Sequence, residues 1–270
     1  MADDDGAAPR ARPLTQLAAL QRAFETLLAD ADLEVTVPSC SGWSVRELAE
    51  HLGSVHVWAT GKVLGEKLRV PGPDPAAWNH GLVDARSAAA RYGASAELLR
   101  MTLASVPADQ ACQTLSGEGP ASFWRRRQTH ETLIHLWDLC QALGSPMPPV
   151  DPAVWADCVA EVVEVMHPRQ IRLGRAAAME HSLLLVAEDS DRRWRIPSGA
   201  RAGAGAEASA ESRAEAPDGP AAEPAAPSAT ITAAPAELAL LLWGRRSQEG
   251  LTLNGDHGAA TAVLSGALTP

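Results

Sequence analysis

The stretch "HETLIHLWD", residues 130–138, carries four side chains that can bind a metal or move a proton: His130, Glu131, His135 and Asp138. It has one residue too many for the H-E-x-x-H motif of zinc proteases, in which two histidines four apart share the ion and the glutamate acts as base. At about 100° per residue in a helix, Glu131 and His135 lie within roughly 40° of each other and Asp138 continues the stripe. His130 is rotated away from His135. The residue pair that can share an ion is therefore Glu131 with His135, and the glutamate takes a ligand position.

A third donor comes from farther up the chain. His51, eighty residues before Glu131, shares the apolar face formed by Leu48, Leu52, Val55 and Ala59 on an earlier helix. His51, Glu131 and His135 together have the two-histidine, one-carboxylate composition of catalytic zinc and non-haem iron sites, which keep a position open for water or substrate. The plainer alternative is a core histidine satisfied by its neighbours, beside an ordinary i,i+4 Glu/His pair worth a few tenths of a kcal/mol. Spacing alone leaves both open. His56, His80, His167, His181 and His257 read as solvated or capping residues. The run Arg125, Arg126, Arg127 could grip an anion or simply form an exposed helix face. Trp58, Trp78 and Trp124 could line a cleft or pack a core. "NGDHG" reads as a turn, and no nucleophile elbow, P-loop or dinucleotide fingerprint is present.

These residues need long helices to position them. "LTQLAALQRAFETLL" places Leu14, Leu17, Leu20, Phe24, Leu27 and Leu28 at helical spacing. In "GWSVRELAEHLGSVHVWA", Ser44 and Glu47 form a capping box, with Trp43 and Leu48 at the staple positions. A third helix is expected within residues 81–105, weakened by Gly93 and preceded by the loop "VPGPDPAAWNHG". A fourth runs from about Ser122 to Leu143 and stops at Gly144 and Pro146. The expected fold of residues 12–145 is an antiparallel four-helix bundle, after a disordered tail, 1–11. Beyond "GSPMPPVDP" the period changes. A helix over 153–166, strands in "HSLLLVAED", "RRWRIPS", "ATITA" and "GLTLNGD", and helices in "PAELALLLWGRR" and "GAATAVLSGAL" predict a small α+β domain over 151–270. Residues 199–229 are rich in Ala, Gly, Pro and Glu and are expected to be a disordered insertion.

Bulk properties narrow the partners. With 33 acidic against 23 basic residues, the formal charge is -10, which argues against nucleic acid or a polybasic membrane contact and for a small-molecule partner. Lysine occurs only at Lys62 and Lys67, a bias of GC-rich coding rather than of chemistry. Cys40, Cys112, Cys140 and Cys158 form no C-x-x-C pair, and there is no apolar leader or membrane-length run. A cytoplasmic protein is expected.

"GWSVRELAEHL", then "RRQTHETLIHLWDLCQALG", then "PAELALLLWGRRSQEGLTLNGD", in that order, resemble the mycothiol-dependent maleylpyruvate isomerase family of actinobacteria. The resemblance covers nearly the whole chain except the tail and the insertion. It implies a DinB-like metal-binding four-helix bundle joined to a small α+β C-terminal domain. It also implies zinc (Zn2+) held by His51, Glu131 and His135, with mycothiol as the thiol cofactor. Arg245, with Arg246 beside it, would be the arginine of the second domain that acts at the metal cleft. A three-ligand zinc with an open position lowers the pKa of a bound thiol. The family's thiolate adds to the double bond of maleylpyruvate, permits rotation and leaves, giving fumarylpyruvate. Arg245 would pair with a substrate carboxylate or steady the enolate. The same thiolate could instead stay attached to another small electrophile, an S-transferase reaction. The alternative reading is a non-catalytic metal-binding interaction or regulatory module, motivated by the fused second domain and its acidic insertion.

Overall fold

The computed structural model describes residues 12–69, 83–199 and 226–269. The tail 1–11, the whole Pro/Gly/Trp loop with Trp78 and His80, and residues 200–225 of the insertion lie outside the described residues. The described chain is mostly helical with a small sheet region, and divides into two compact units, Met1–Pro149 and Val150–Pro270. No helix among the described residues is long and apolar enough to cross a membrane. All four cysteines are free thiols.

The first unit is built on four long helices: α1 (Arg12–Leu28), α2 (Val45–Leu64), α3 (Ala85–Ser105) and α4 (Ser122–Leu143). Each of α1 and α2 packs on both α3 and α4. The apolar stripe of α1 buries Leu17, Leu20, Phe24 and Leu28, and α2 buries Leu48, Leu52 and Ala59, with Leu17 and Ala59 in one core cluster. α2 starts where its capping box demands: the Glu47 amide donates to Ser44 Oγ, and the Ser44 amide donates back to the Glu47 carboxylate at 2.6 Å. Gly144 closes α4 at φ 61°, a left-handed conformation that glycine adopts without strain. Gly93 stays helical within α3, and the Glu25 carboxylate of α1 lies over it, where a Cβ would stand 2.4 Å from Oε1. Between α3 and α4 a hairpin that the sequence reading missed pairs β1 (Ala111–Thr114) with β2 (Gly117–Pro120). Its strands are four residues long and mostly exposed, so they carry no apolar alternation to read.

The second unit has a four-stranded sheet in the order β4-β3-β5-β6, formed by β3 (Leu183–Ala187), β4 (Arg193–Ile196), β5 (Ala229–Ala233) and β6 (Thr252–Gly255). β3 and β5 are parallel; the outer pairs are antiparallel. α7 (Pro235–Leu242) and α8 (His257–Leu264) follow β5 and β6. The helix expected to end at Met166 instead continues. α5 (Pro152–Glu161) passes through a π turn at Val162–Met166 into α6 (His167–Arg172). The His167 amide reaches back to the Val162 carbonyl, and Pro168, which has no N–H to donate, follows directly where the bonding pattern changes.

Candidate metal centre

The loop before α2 and the middle of α4 build the site. Val37 and Trp43 are tied by the Val37 amide to the Trp43 carbonyl at 2.8 Å, and the Val45 amide bonds the Val35 carbonyl at 2.9 Å. This folded-back loop delivers Ser39, Cys40 and Trp43 beside the first turns of α2. Two turns in, α2 presents His51. From α4, Glu131 and His135 project together because they are four residues apart.

Glu131 Oε1 lies 3.4 Å from His51 Nε2 and 3.4 Å from His135 Nε2. Donor atoms of the three residues all fall within 4.8 Å of one another. The two imidazole rings meet edge to face with centroids 5.0 Å apart, and the Trp43 ring lies 4.8 Å from that of His51. The His51 side chain is 36% exposed and that of His135 7%, so the group opens toward solvent on the His51 side.

A second layer orients the first. His135 Nδ1 donates to Asp138 Oδ2 at 2.9 Å. Because a carboxylate only accepts, the proton of the neutral ring belongs on Nδ1, leaving the Nε2 lone pair facing Glu131 and His51. Asp138 is itself fully buried, and its oxygens accept from Ser39 Oγ at 2.5 Å and Cys40 Sγ at 3.5 Å. On the other side, Arg127 pairs with Glu131 Oε2. Burial alone would raise the Glu131 carboxyl, but the Arg127 charge and the facing His135 and His51 side chains hold it well below the usual carboxylate range. Burial works to lower the His135 ring, yet the neighbouring Asp138, Cys40 and Glu131 push it well above its ordinary value.

Several expectations need correction. The run 125–127 is not an exposed helix face: Arg127 is 4% exposed and bound to Glu131, while Arg125 donates to the carbonyls of Leu103 and Val106, both at 2.8 Å. His56 is not solvated. It is completely buried between Gln128 Oε1, 2.7 Å away, and Gln21 Nε2, 3.2 Å away, and burial drives its ring down to about 4. His167 is buried too, and burial lowers it. His257 is exposed and His181 half-buried; His130 is buried but outside the converging donor set. Trp124 packs in the core, where Leu17, Leu99 and Leu103 surround it, and Trp58 lies edge-on against it, 5.2 Å away and 46% exposed. Among the described residues, the tryptophan ring in contact with His51 and His135 is Trp43, which the sequence offered only as a staple. Arg245 follows α7 in the second unit and donates to the Trp243 carbonyl at 2.9 Å. Its neighbour Arg246 pairs with Glu237.

Residues 4–140 match the family model described as the mycothiol maleylpyruvate isomerase N-terminal domain. The crystal structure of the mycothiol-dependent maleylpyruvate isomerase has the same fold at 16% identity and a TM-score of 0.61, with 92% of this chain and 93% of that one covered. A histidine-to-alanine mutant of that enzyme aligns over the same shares at 15% identity and a TM-score of 0.61. Among curated proteins, none matches by sequence.

Proposed function

Since the chain belongs to the mycothiol maleylpyruvate isomerase N-terminal domain family, we propose that it is a zinc-dependent enzyme that uses mycothiol as its thiol cofactor. In this reading the first unit is a DinB-like antiparallel four-helix bundle working in the cytoplasm. Its reaction is cis/trans isomerisation of a maleylpyruvate-like substrate, or transfer of the thiol to another small electrophile. The supporting observation is the convergence of His51 Nε2, Glu131 Oε1 and His135 Nε2. The donor set fits zinc: two imidazoles and a carboxylate held anionic, one imidazole with its far nitrogen bound to a carboxylate, and an open side. Zinc held there would bind the thiol and lower its pKa, supplying thiolate at neutral pH.

The chain's own residues do the rest. Asp138 keeps His135 in the tautomer that presents its Nε2 lone pair, Trp43 packs beside the His51 ring, and Arg127 steadies Glu131. Arg245 is the proposed partner of a substrate carboxylate, a role that a forked guanidinium suits. The test is incubation of zinc-loaded protein with mycothiol and a panel of electrophiles including maleylpyruvate, read by mass spectrometry for conjugates and by chromatography for isomers. An isomer or a conjugate that forms only with mycothiol supports the reading. No product with any electrophile contradicts it.

A further inference from the structure

Glu131 divides its two oxygens between different partners. Oε1 faces His51 Nε2 and His135 Nε2, each 3.4 Å away, whereas Oε2 is bound by Arg127 Nη2 from one turn earlier on α4. An i,i+4 ion pair on a helix surface contributes only a few tenths of a kcal/mol, but this one is not on the surface. Arg127 is 4% exposed, so little water competes for its charge, and the bond it makes is of the strong, charge-assisted kind. A carboxylate with both oxygens free can bind a cation through both. With Oε2 engaged, Glu131 has one oxygen left to give.

We propose that Arg127 is a positioning residue that restricts Glu131 to one-oxygen donation, and so keeps a coordination position open for the incoming thiol. This role rests on the zinc and thiol reading above. Loss of the guanidinium frees Oε2 to turn toward the metal and compete with the thiol for that position. The buried cation also opposes a second cation nearby, so metal retention should not suffer when it is removed.

The test uses the full chain loaded with Co2+ as a spectroscopic stand-in for zinc and 2-mercaptoethanol as the thiol probe, comparing wild type, Arg127→Met and Arg127→Lys. Arg127→Met should hold Co2+ at least as tightly as wild type. Its visible absorption should weaken toward that of a higher coordination number. Thiol affinity, followed by the sulfur-to-metal charge-transfer band, should fall about tenfold or more, with Arg127→Lys in between. The proposal is overturned if Arg127→Met leaves spectrum and thiol affinity unchanged, or if both variants lose Co2+ and thiol binding in step, which marks a purely structural prop. Should Arg127→Met fail to fold, Arg127→Lys decides: a shift in the same direction supports the role and an unchanged spectrum overturns it. A wild-type protein that takes up no Co2+ overturns the zinc reading itself, and this role with it.

Discussion

Asp138 is put on the face of Glu131 and His135 by spacing alone, but spacing does not show the bonds that give this residue its role. It is fully buried and bonded to His135, Ser39 and Cys40, so it fixes the ring orientation rather than offering a free ligand. Replacing Asp138 with Asn removes the charge and lets the amide donate to Nδ1, which favours the wrong tautomer. Zinc affinity should then fall by about 10- to 100-fold, measured by competition with a chromophoric chelator; an affinity equal to wild type would contradict the assigned orientation. Glu131 and His135 were legible in the sequence because helical periodicity alone puts residues four apart side by side, and His51 because it interrupts an apolar face. Ser39, Cys40 and Trp43 were not, since they reach the site from a loop whose path depends on tertiary hydrogen bonds. For Arg127 the sequence leaves open an anion grip or an exposed helix face, because it shows a charge but not its burial.

At the scale of the elements, the helices rest on two kinds of signal. Local caps were readable, and the Ser44–Glu47 box sits where the residues place it. Ser44→Ala should cost about 1 kcal/mol in urea unfolding, and no loss would mean that the loop contacts, not the cap, hold the start of α2. The second signal, invisible in sequence, is a buried polar layer in which Gln21 of α1, His56 of α2, Tyr92 of α3 and Gln128 of α4 meet around the His56 ring. Only tertiary packing brings these residues together. Burial holds His56 at about 4 against an ordinary value of 6.5, so between those limits the unfolded chain binds the extra proton and the folded one does not. Stability from this group is therefore complete at neutral pH and lost as pH falls toward 4, by on the order of 3 kcal/mol. His56→Gln should be less stable than wild type at about pH 7 but should lack that part of the acid loss. Parallel pH profiles for the two in urea titrations would contradict this.

For the whole molecule, the long helices, the change of period beyond "GSPMPPVDP" and the four strands that follow it could be read from pattern, whereas the β1–β2 hairpin and the π turn could not. Both depend on contacts rather than on periodicity. The proposed roles are divided: His51, Glu131 and His135 are proposed to hold zinc, and Arg245 to pair with a substrate carboxylate rather than with the metal. Arg245→Met should therefore keep its zinc while turnover falls on the order of 100-fold, and a variant that lost zinc and activity together would contradict that division. The claim on which everything else stands is that His51, Glu131 and His135 hold one metal ion. Metal analysis of the purified protein by inductively coupled plasma mass spectrometry tests it most directly. Wild type should carry about one zinc per chain, and folded His51→Ala and His135→Ala should carry almost none. A metal-free wild type that zinc cannot reconstitute, or variants that keep their zinc, would contradict it.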